Sequence, residues 1–257
     1  MKRDDNPERL AREIAFHEGI AAKAEDVWNW SSPAGRRRAE HRAELLIRAT
    51  GLGPAKHALE LGCGTGVFLE RAASTGARID AIDLSQHLLR RARERMAGSP
   101  RVQLVCGNAE AMPYADGTFD AVYGSSVLHH LDLDRALREV CRVLRPGGWA
   151  AFAEPNLLNP QVAFMFNFMA TKPWFGVSPD EKAFTRFRAM QALRQAGYVE
   201  SSIRPFDFLH PATPAAIVAG VARASSFLER LPLVREFAGS FLLAGRKPSD
   251  RSVGAAT

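Results

Sequence analysis

Three cysteines, Cys63, Cys106 and Cys141, are all that the 257 residues contain, and none stands in a CxxC pair. Neither a disulfide framework nor a zinc knuckle can be built from them, so the expectation is a protein of the reducing cytoplasm. No apolar run reaches the roughly 18 residues that a membrane-spanning helix needs. The nearest, Val162 to Ala170, is short and contains Asn167. The N-terminus, Met1-Lys2-Arg3-Asp4-Asp5-Asn6, leads into a charged helical pattern without an apolar signal core, which predicts a chain that is not secreted. Internal repeats, low-complexity tracts, HExxH and clustered Asp/His motifs are also lacking, and no metal is expected.

What is present is an ordinary globular composition: 46% hydrophobic residues, 24% charged residues and a formal charge of +6. A chain of this length buries enough surface for one elaborated domain or two. The pI near 9.6 permits a nucleic acid, an anionic membrane surface or an acidic substrate. The positive charge is interleaved with acids, however, and only Arg36-Arg37-Arg38 is dense, so charge by itself selects no partner.

Along the chain a helical pattern over Asn6 to Asp26 is followed by a second helix from Ala34 to about Thr50, capped by serine and Pro33 and stopped at Gly51. Strands are predicted at His57 to Leu61, Arg78 to Leu84, Val102 to Gly107 and Phe119 to Gly124, with helices at Val67 to Ser74 and Ser85 to Met96. Asp132 or Asp134 then caps a helix with the stripe Leu137, Val140, Cys141 and Leu144, which Pro146-Gly147-Gly148 is expected to end. A fifth strand spans Trp149 to Glu154. A later helix carries Ala189, Ala192, Leu193 and Ala196 before Gly197, and short strands lie near Ile203 to Phe208 and Ser240 to Gly245. The alternation argues for an α/β fold: a mostly parallel sheet with helices on both faces. Two segments, about 156–180 and 211–237, fall outside it, each leaving the end of a strand on the side where α/β scaffolds bind substrate.

The chemistry is concentrated in Glu60-Leu61-Gly62-Cys63-Gly64-Thr65-Gly66, an ExGxGxG between a strand and a helix, with Asp83 seventeen positions after Gly66 at the end of the next strand. Such a glycine turn admits a ligand close to the backbone, and a strand-end carboxylate can accept both hydroxyls of a ribose. A dinucleotide fingerprint would place its third glycine one residue later, to receive a pyrophosphate. Further along come Asp83-Leu84-Ser85, Gly107-Asn108-Ala109-Glu110-Ala111-Met112-Pro113 before Phe119-Asp120, Val127-Leu128-His129-His130, and Leu144-Arg145-Pro146-Gly147-Gly148.

In these motifs, over residues 34 to 155, the chain resembles the class I S-adenosylmethionine-dependent methyltransferases, specifically the bacterial small-molecule group that includes the ubiquinone and menaquinone enzymes. The resemblance implies a Rossmann-like seven-stranded sheet and S-adenosyl-L-methionine as cofactor. It implies an N-terminal helical lid over residues 1–50, a methyltransferase domain over 51–248 with the two insertions near the acceptor, and a flexible tail from 249 to 257. Glu60, Gly62, Cys63 and Gly64 are then expected at the methionine part of the cofactor, Asp83 and Leu84 at the ribose, Asn108 and Ala109 at the adenine, and Ser125 beside the methyl group. The family usually has Asp where Asn108 stands; an amide oxygen can still accept from the adenine amino group.

His130 is the expected general base and Glu154 its orienting or replacing partner, since an imidazole near neutral pKa suits proton removal from a hydroxyl acceptor. The acceptor is expected to be a small or lipid-like molecule attacking through oxygen. Arg36 or Arg38 is placed to pair with the cofactor carboxylate, and Phe164, Met165, Phe168 and Met169 form a helical stripe expected to wall the acceptor pocket or to touch a membrane surface. The fourth strand lacks the Asn/Asp-Pro-Pro-Tyr and Pro-Cys signatures of DNA methyltransferases and the aspartate of metal-dependent catechol enzymes. Two rival readings are an RNA methyltransferase, which requires a basic stripe at the cofactor mouth, and a non-catalytic cofactor-binding protein, which requires a blocked methyl-facing end.

Overall fold

The computed structural model describes residues 7–168, 172, 176–178 and 180–249. Seven strands, β1 (His57–Leu61), β2 (Arg78–Asp83), β3 (Val102–Cys106), β4 (Phe119–Ser125), β5 (Leu144–Pro155), β6 (Val199–Phe206) and β7 (Ser240–Arg246), form one sheet in the order β3-β2-β1-β4-β5-β7-β6. β1 to β5 pair in parallel, and β7 runs antiparallel to both β5 and β6. The chain winds outward from β1 to β3, then restarts on the other side at β4. This reversal opens a crevice at the carboxyl ends of β1 and β4, where open α/β sheets bind their ligands.

The central strands β1, β4, β5 and β7 are largely buried on both sides, while the edge strands β3 and β6 stay partly exposed. Along β5, Ala150 and Phe152 face one core and Ala151 and Ala153 the other. The first core is closed by α6 (Leu133–Val143) and α8 (Arg186–Gln195), through Leu137, Val140, Ala189 and Leu193. The second is closed by α3 (Pro33–Thr50), α4 (Val67–Ala73) and α5 (Gln86–Arg95), through Leu46, Leu69, Ala72 and Leu89. The caps follow the local chemistry. Ser32, Ser85 and Asp132 accept the N–H groups of Gly35, Leu88 and Arg135, and Gly51 ends α3 at φ 61°.

Two expectations are corrected. The helix α6 stops at Val143, and Leu144 already belongs to β5, so Pro146-Gly147-Gly148 lies in a strand with a register shift opposite Phe119 to Ala121. Gly148 sits there because a Cβ would stand 3.0 Å from the carbonyl oxygens of Arg145 and Asp120. In addition, α3 packs on the sheet as part of the body. The N-terminal segment that covers the crevice is α1 (Pro7–Ile20), α2 (Ala24–Val27) and the turn through Trp28 and Trp30, and not the whole of residues 1–50. Both insertions carry a helix, α7 (Pro160–Asn167) and α9 (Val218–Leu228). Met169 and tail residues 250–257 lie outside the described residues.

Candidate functional site

At the end of β1 the N–H groups of Gly62 and Cys63 both reach the Ile82 carbonyl, at 2.8 and 3.2 Å. Gly62 has φ 66°, and a Cβ on it would fall 2.4 Å from Val127 Cγ2, so both backbone conformation and packing demand glycine. Asp83 Oδ2 accepts from Gly64 N–H at 2.8 Å and Oδ1 from Ser85 N–H at 2.9 Å, which locks the carboxylate beside the loop. Each oxygen keeps a lone pair for a further donor. Asn108 Oδ1 accepts from Glu110 N–H at 2.9 Å in a local turn.

These groups border a cavity of about 780 Å³ that also receives Leu84, Ala109, Ser125 and His130. Glu60 and Glu154 do not border it. Glu60 lies beneath the loop, where Oε2 accepts the Tyr123 hydroxyl at 2.7 Å. Burial pushes its carboxyl up to about 8, against the opposing effect of that hydrogen bond. Glu154 is fully buried at the end of β5. Its Oε1 accepts the N–H groups of Val127 and Leu128 at 3.0 and 2.9 Å, and Oε2 meets His129 Nδ1 at 2.7 Å. It therefore orients His129 and the turn after β4, not His130 as the sequence suggested, because the turn aims the first histidine of the pair at β5.

His130 finds its carboxylate elsewhere. Nδ1 lies 3.0 Å from Glu13 Oε2 of α1 and 3.7 Å from Glu181 Oε1 of the first insertion's far side. Its ring packs against His129 and His17, with centroids 4.4 and 5.1 Å away. Burial opposes charge on His129, but hydrogen bonds to Glu154 and then Glu181 outweigh it and raise its pKa to about 10. Burial likewise opposes ionisation of Glu13, yet hydrogen bonds from His130 and His17 hold its carboxyl well below the usual range. The donor sets Glu13, His17, His130 and His129, His130, Glu181 each bring their atoms within 4.8 Å, close enough to hold a metal ion. Several of those atoms are already engaged: Glu13 Oε1 accepts the Ser178 hydroxyl at 2.6 Å and Glu181 Oε1 the Ser178 N–H at 2.6 Å.

Opposite this cluster, Arg38 and Arg42 of α3 converge on Asp207 at the end of β6. Arg38 Nε lies 3.0 Å and Arg42 Nη2 3.3 Å from Asp207 Oδ2. Both guanidinium groups stack over Trp30 at 5.4 Å. Arg42 is buried and stands 3.5 Å from Ser125 Oγ. Arg38 thus meets a protein carboxylate first, and Arg36 instead donates to the Ser31 carbonyl on the surface. Four non-glycine residues have positive φ among the described residues. Three of them, Asn29 (61°), Ser126 (57°) and Asp207 (80°), border the cavity, a concentration of strain typical of sites where the surroundings dictate the backbone.

The stripe on α7 is turned relative to expectation. Val162, Met165 and Phe166 face the cavity, whereas Phe164 and Phe168 are 46% and 56% exposed. Sequence reasoning missed Glu13, His17, Arg42, Glu181 and Asp207. The one available signal was the i, i+4 spacing of Glu13 and His17 on a helix.

Strand order, glycine loop and strand-end carboxylate define an α/β enzyme built around a nucleoside-bearing cofactor. Residues 59–152 match the family model described as a methyltransferase domain. The chain is 43% identical to the malonyl-[acyl-carrier protein] O-methyltransferase of Methylococcus capsulatus over 76% of its own length and 73% of that protein's. It is 38% identical to the demethylmenaquinone methyltransferase of Corynebacterium urealyticum over 57% of its own length and 61% of that protein's. It spans 34% of a Streptomyces fradiae transposon protein to which it is 37% identical over 44% of its own length. A Thermotoga maritima SAM-dependent methyltransferase of solved structure shares the fold, with TM-score 0.63 at 19% identity over 90% of this chain and 99% of that one. The chain belongs to the class I S-adenosylmethionine-dependent methyltransferases.

Proposed function

We propose that the chain moves the methyl group of S-adenosylmethionine to an oxygen of a small or lipid-like acceptor that enters beside α7. The observation that carries this reading is one continuous cavity, with the Gly62 loop, Asp83 and Asn108 along one part and His129, His130, Met165 and Phe166 along another. When bound, the cofactor supplies an electrophilic methyl on sulfonium sulfur. Asp83 would hold the ribose hydroxyls through its remaining lone pairs, Asn108 and Ala109 the adenine, and the Gly62–Gly64 backbone and Ser125 the methionine end. Glu60 acts from below by fixing the loop's supporting strands.

Glu13 accepts from His130 Nδ1–H, which leaves Nε2 as the proton acceptor for an acceptor hydroxyl. Ionised Glu13 also stabilises the imidazolium that results. Glu154 positions the turn from which both histidines project. Residues 7–32 would serve as the lid that keeps water out of the cavity when cofactor and acceptor are bound. The open space beside Ser125 and Ser126 speaks against a blocked, non-catalytic site. No step uses a metal, and melting and turnover are expected to survive chelation.

The test is a methyl-transfer screen against quinols, acyl thioesters carrying a free carboxylate and lipid alcohols, with calorimetry of S-adenosylhomocysteine in parallel. The reading requires micromolar cofactor binding and turnover that drops about 10²-fold in His130→Ala with cofactor affinity unchanged. Undiminished turnover in that variant would remove His130 as the base.

A further inference from the structure

Large apolar side chains are unevenly exposed on this protein. Of the nine that stand in solvent among the described residues, seven belong to the two insertions. Ile217, Phe227, Leu233, Val234 and Phe237 come from the second, with Leu233 83% exposed; Phe164 and Phe168 come from the first. The insertions are joined to each other, since Asn159 donates to the Phe237 carbonyl at 2.8 Å and Gln161 meets His210 at 2.9 Å. They also border the cavity mouth. The inner face of α7 presents Met165 and Phe166 to it, and His210, Pro211 and Ala212 line it just before α9.

The exposed charge on the second insertion has one sign. Between Pro211 and Leu228 the chain contains no Asp or Glu, and every exposed residue from Ala212 to Phe237 is apolar, small, Ser or Arg. Glu229 and Glu236, the acids in that range, are not exposed. A groove between α3 and α9 is lined by Arg36, Arg37, Arg223, Arg230 and Phe227, with Glu40 as its one carboxylate, paired to Arg37 at 3.2 Å. Arg223 and Arg230 have no side-chain partner among the described residues.

Exposed apolar side chains beside the unpaired Arg223 and Arg230, on a segment whose exposed side holds no carboxylate, are the composition of a helix that lies in the headgroup region of an anionic bilayer. We propose that α9, the turn through Leu233 and Phe237, and the outer face of α7 dock the protein on an anionic lipid surface. The cavity mouth then faces the bilayer, and an acceptor dissolved in lipid reaches Met165 and Phe166 without crossing water. The routing of the acceptor rests on the methyltransferase reading above; the docking itself does not.

The experiment is flotation of the purified full chain with phosphatidylcholine vesicles and with vesicles containing about one third phosphatidylglycerol, without acceptor or cofactor. Binding is expected to the anionic vesicles, to weaken with salt, and to be poor to neutral ones. Arg223→Ala with Arg230→Ala should lower the partition coefficient roughly 30-fold. Phe227→Ser or Leu233→Ser should lower it roughly 10-fold each. Equal flotation with both vesicle types, no flotation at all, or undiminished binding by these variants would overturn the proposal. So would arginine-dependent binding of a single-stranded RNA in place of vesicles. Thermal melting followed by circular dichroism shows that each variant is folded, and calorimetry with S-adenosylhomocysteine on the same samples tests the cofactor reading separately, so the two can fail independently.

Discussion

The two parts of the cavity are built by opposite means. Around Gly62, Asp83 and Asn108 the structure is mostly backbone: short loops at strand ends, N–H groups turned onto one carboxylate, and a glycine that nothing larger can replace. Around His129 and His130 it is mostly charge. Glu13, Glu154 and Glu181, from α1, β5 and the loop before α8, are buried against two histidines. Even their buried acids are managed differently. Glu60 under the glycine loop is held towards its neutral form, with its pKa pushed to about 8 by burial, whereas Glu13 and Glu181 are kept ionised by the histidines. A loop that recognises a constant cofactor can be rigid and local. The part proposed to meet the acceptor is assembled from distant segments and held by electrostatics.

If that contrast is right, the largest stability loss comes from the charged part. Glu154→Ala strips a buried histidine of its carboxylate and leaves the N–H groups of Val127 and Leu128 unpaired. It should cost about 3–5 kcal/mol in urea unfolding. Glu154→Gln, which keeps an acceptor for the N–H groups, should cost less. Equal stability of Glu154→Ala and the wild type would show that the cluster holds nothing together.

The pH dependence sharpens the same point. His129 has its pKa raised to about 10 in the fold against 6.5 unfolded, so its contribution is fully present below about pH 6.5 and is lost as pH rises towards 10. Glu60, raised to about 8 from 4.5, contributes with the same sign, its share being lost as pH rises from about 4.5 through 8. Urea midpoints should therefore fall between pH 7 and 10. The fall should flatten between about pH 8 and 9, below the titration of the thiols, in His129→Gln, and become shallower only below pH 8 in Glu60→Gln. A midpoint that rises over this range would contradict both.

At the backbone-built part the effects should fall on binding. Asp83→Ala removes a charge-assisted contact to the ribose and should weaken S-adenosylhomocysteine by about 1.5–3 kcal/mol by calorimetry. Gly62→Ala should do similar harm through the Val127 clash and positive φ, at about 1–3 kcal/mol, with partial recovery in Val127→Ala. Unchanged affinity in Asp83→Ala would remove that residue from the site.

The contrast also explains what could be read from the sequence. The strand–loop–helix order, Gly62, Asp83 and Asn108 were legible because the residues that make each turn are neighbours in the chain. The serine cap before Pro33 and a cap at Asp132 or Asp134 were legible for the same reason, and the structure uses Ser32 and Asp132. The pairing of Glu13 and Glu181 with His130, and of Asp207 with Arg38 and Arg42, was not legible, since these partners lie 117, 51 and 165 or more positions apart and no spacing rule connects them. The pairing of Glu154 with His129 rather than His130 depends on the φ 57° turn at Ser126, which no serine announces. The positive φ at Asp207 is equally silent in the sequence, and its partners Arg38 and Arg42 are remote in the chain.

The smallest expected effect concerns α7, where the two kinds of construction meet. Its sequence carries Phe164, Met165 and Phe166, with Phe168 just past its end, and a period of 3.6 allows only one arc of a helix to face inward. Val162, Met165 and Phe166, at i, i+3 and i+4, border the cavity, with Phe166 edge-on to His129 at 5.6 Å, while Phe164 and Phe168 lie on the opposite arc and stack on each other at 5.1 Å. A core phenylalanine truncated to alanine costs about 3–5 kcal/mol, but an outward one should cost no more than about 0.5 kcal/mol. Phe168→Ala should therefore melt as the wild type does and leave the Michaelis constant of the acceptor unchanged on a soluble substrate. Met165→Ala should raise that constant several-fold, with cofactor affinity intact. A collapse of the melting temperature in Phe168→Ala would mean that α7 is turned the other way and packs its phenylalanines inward, and the wall of the acceptor pocket would then have to be sought in Leu209 and the turn after β6.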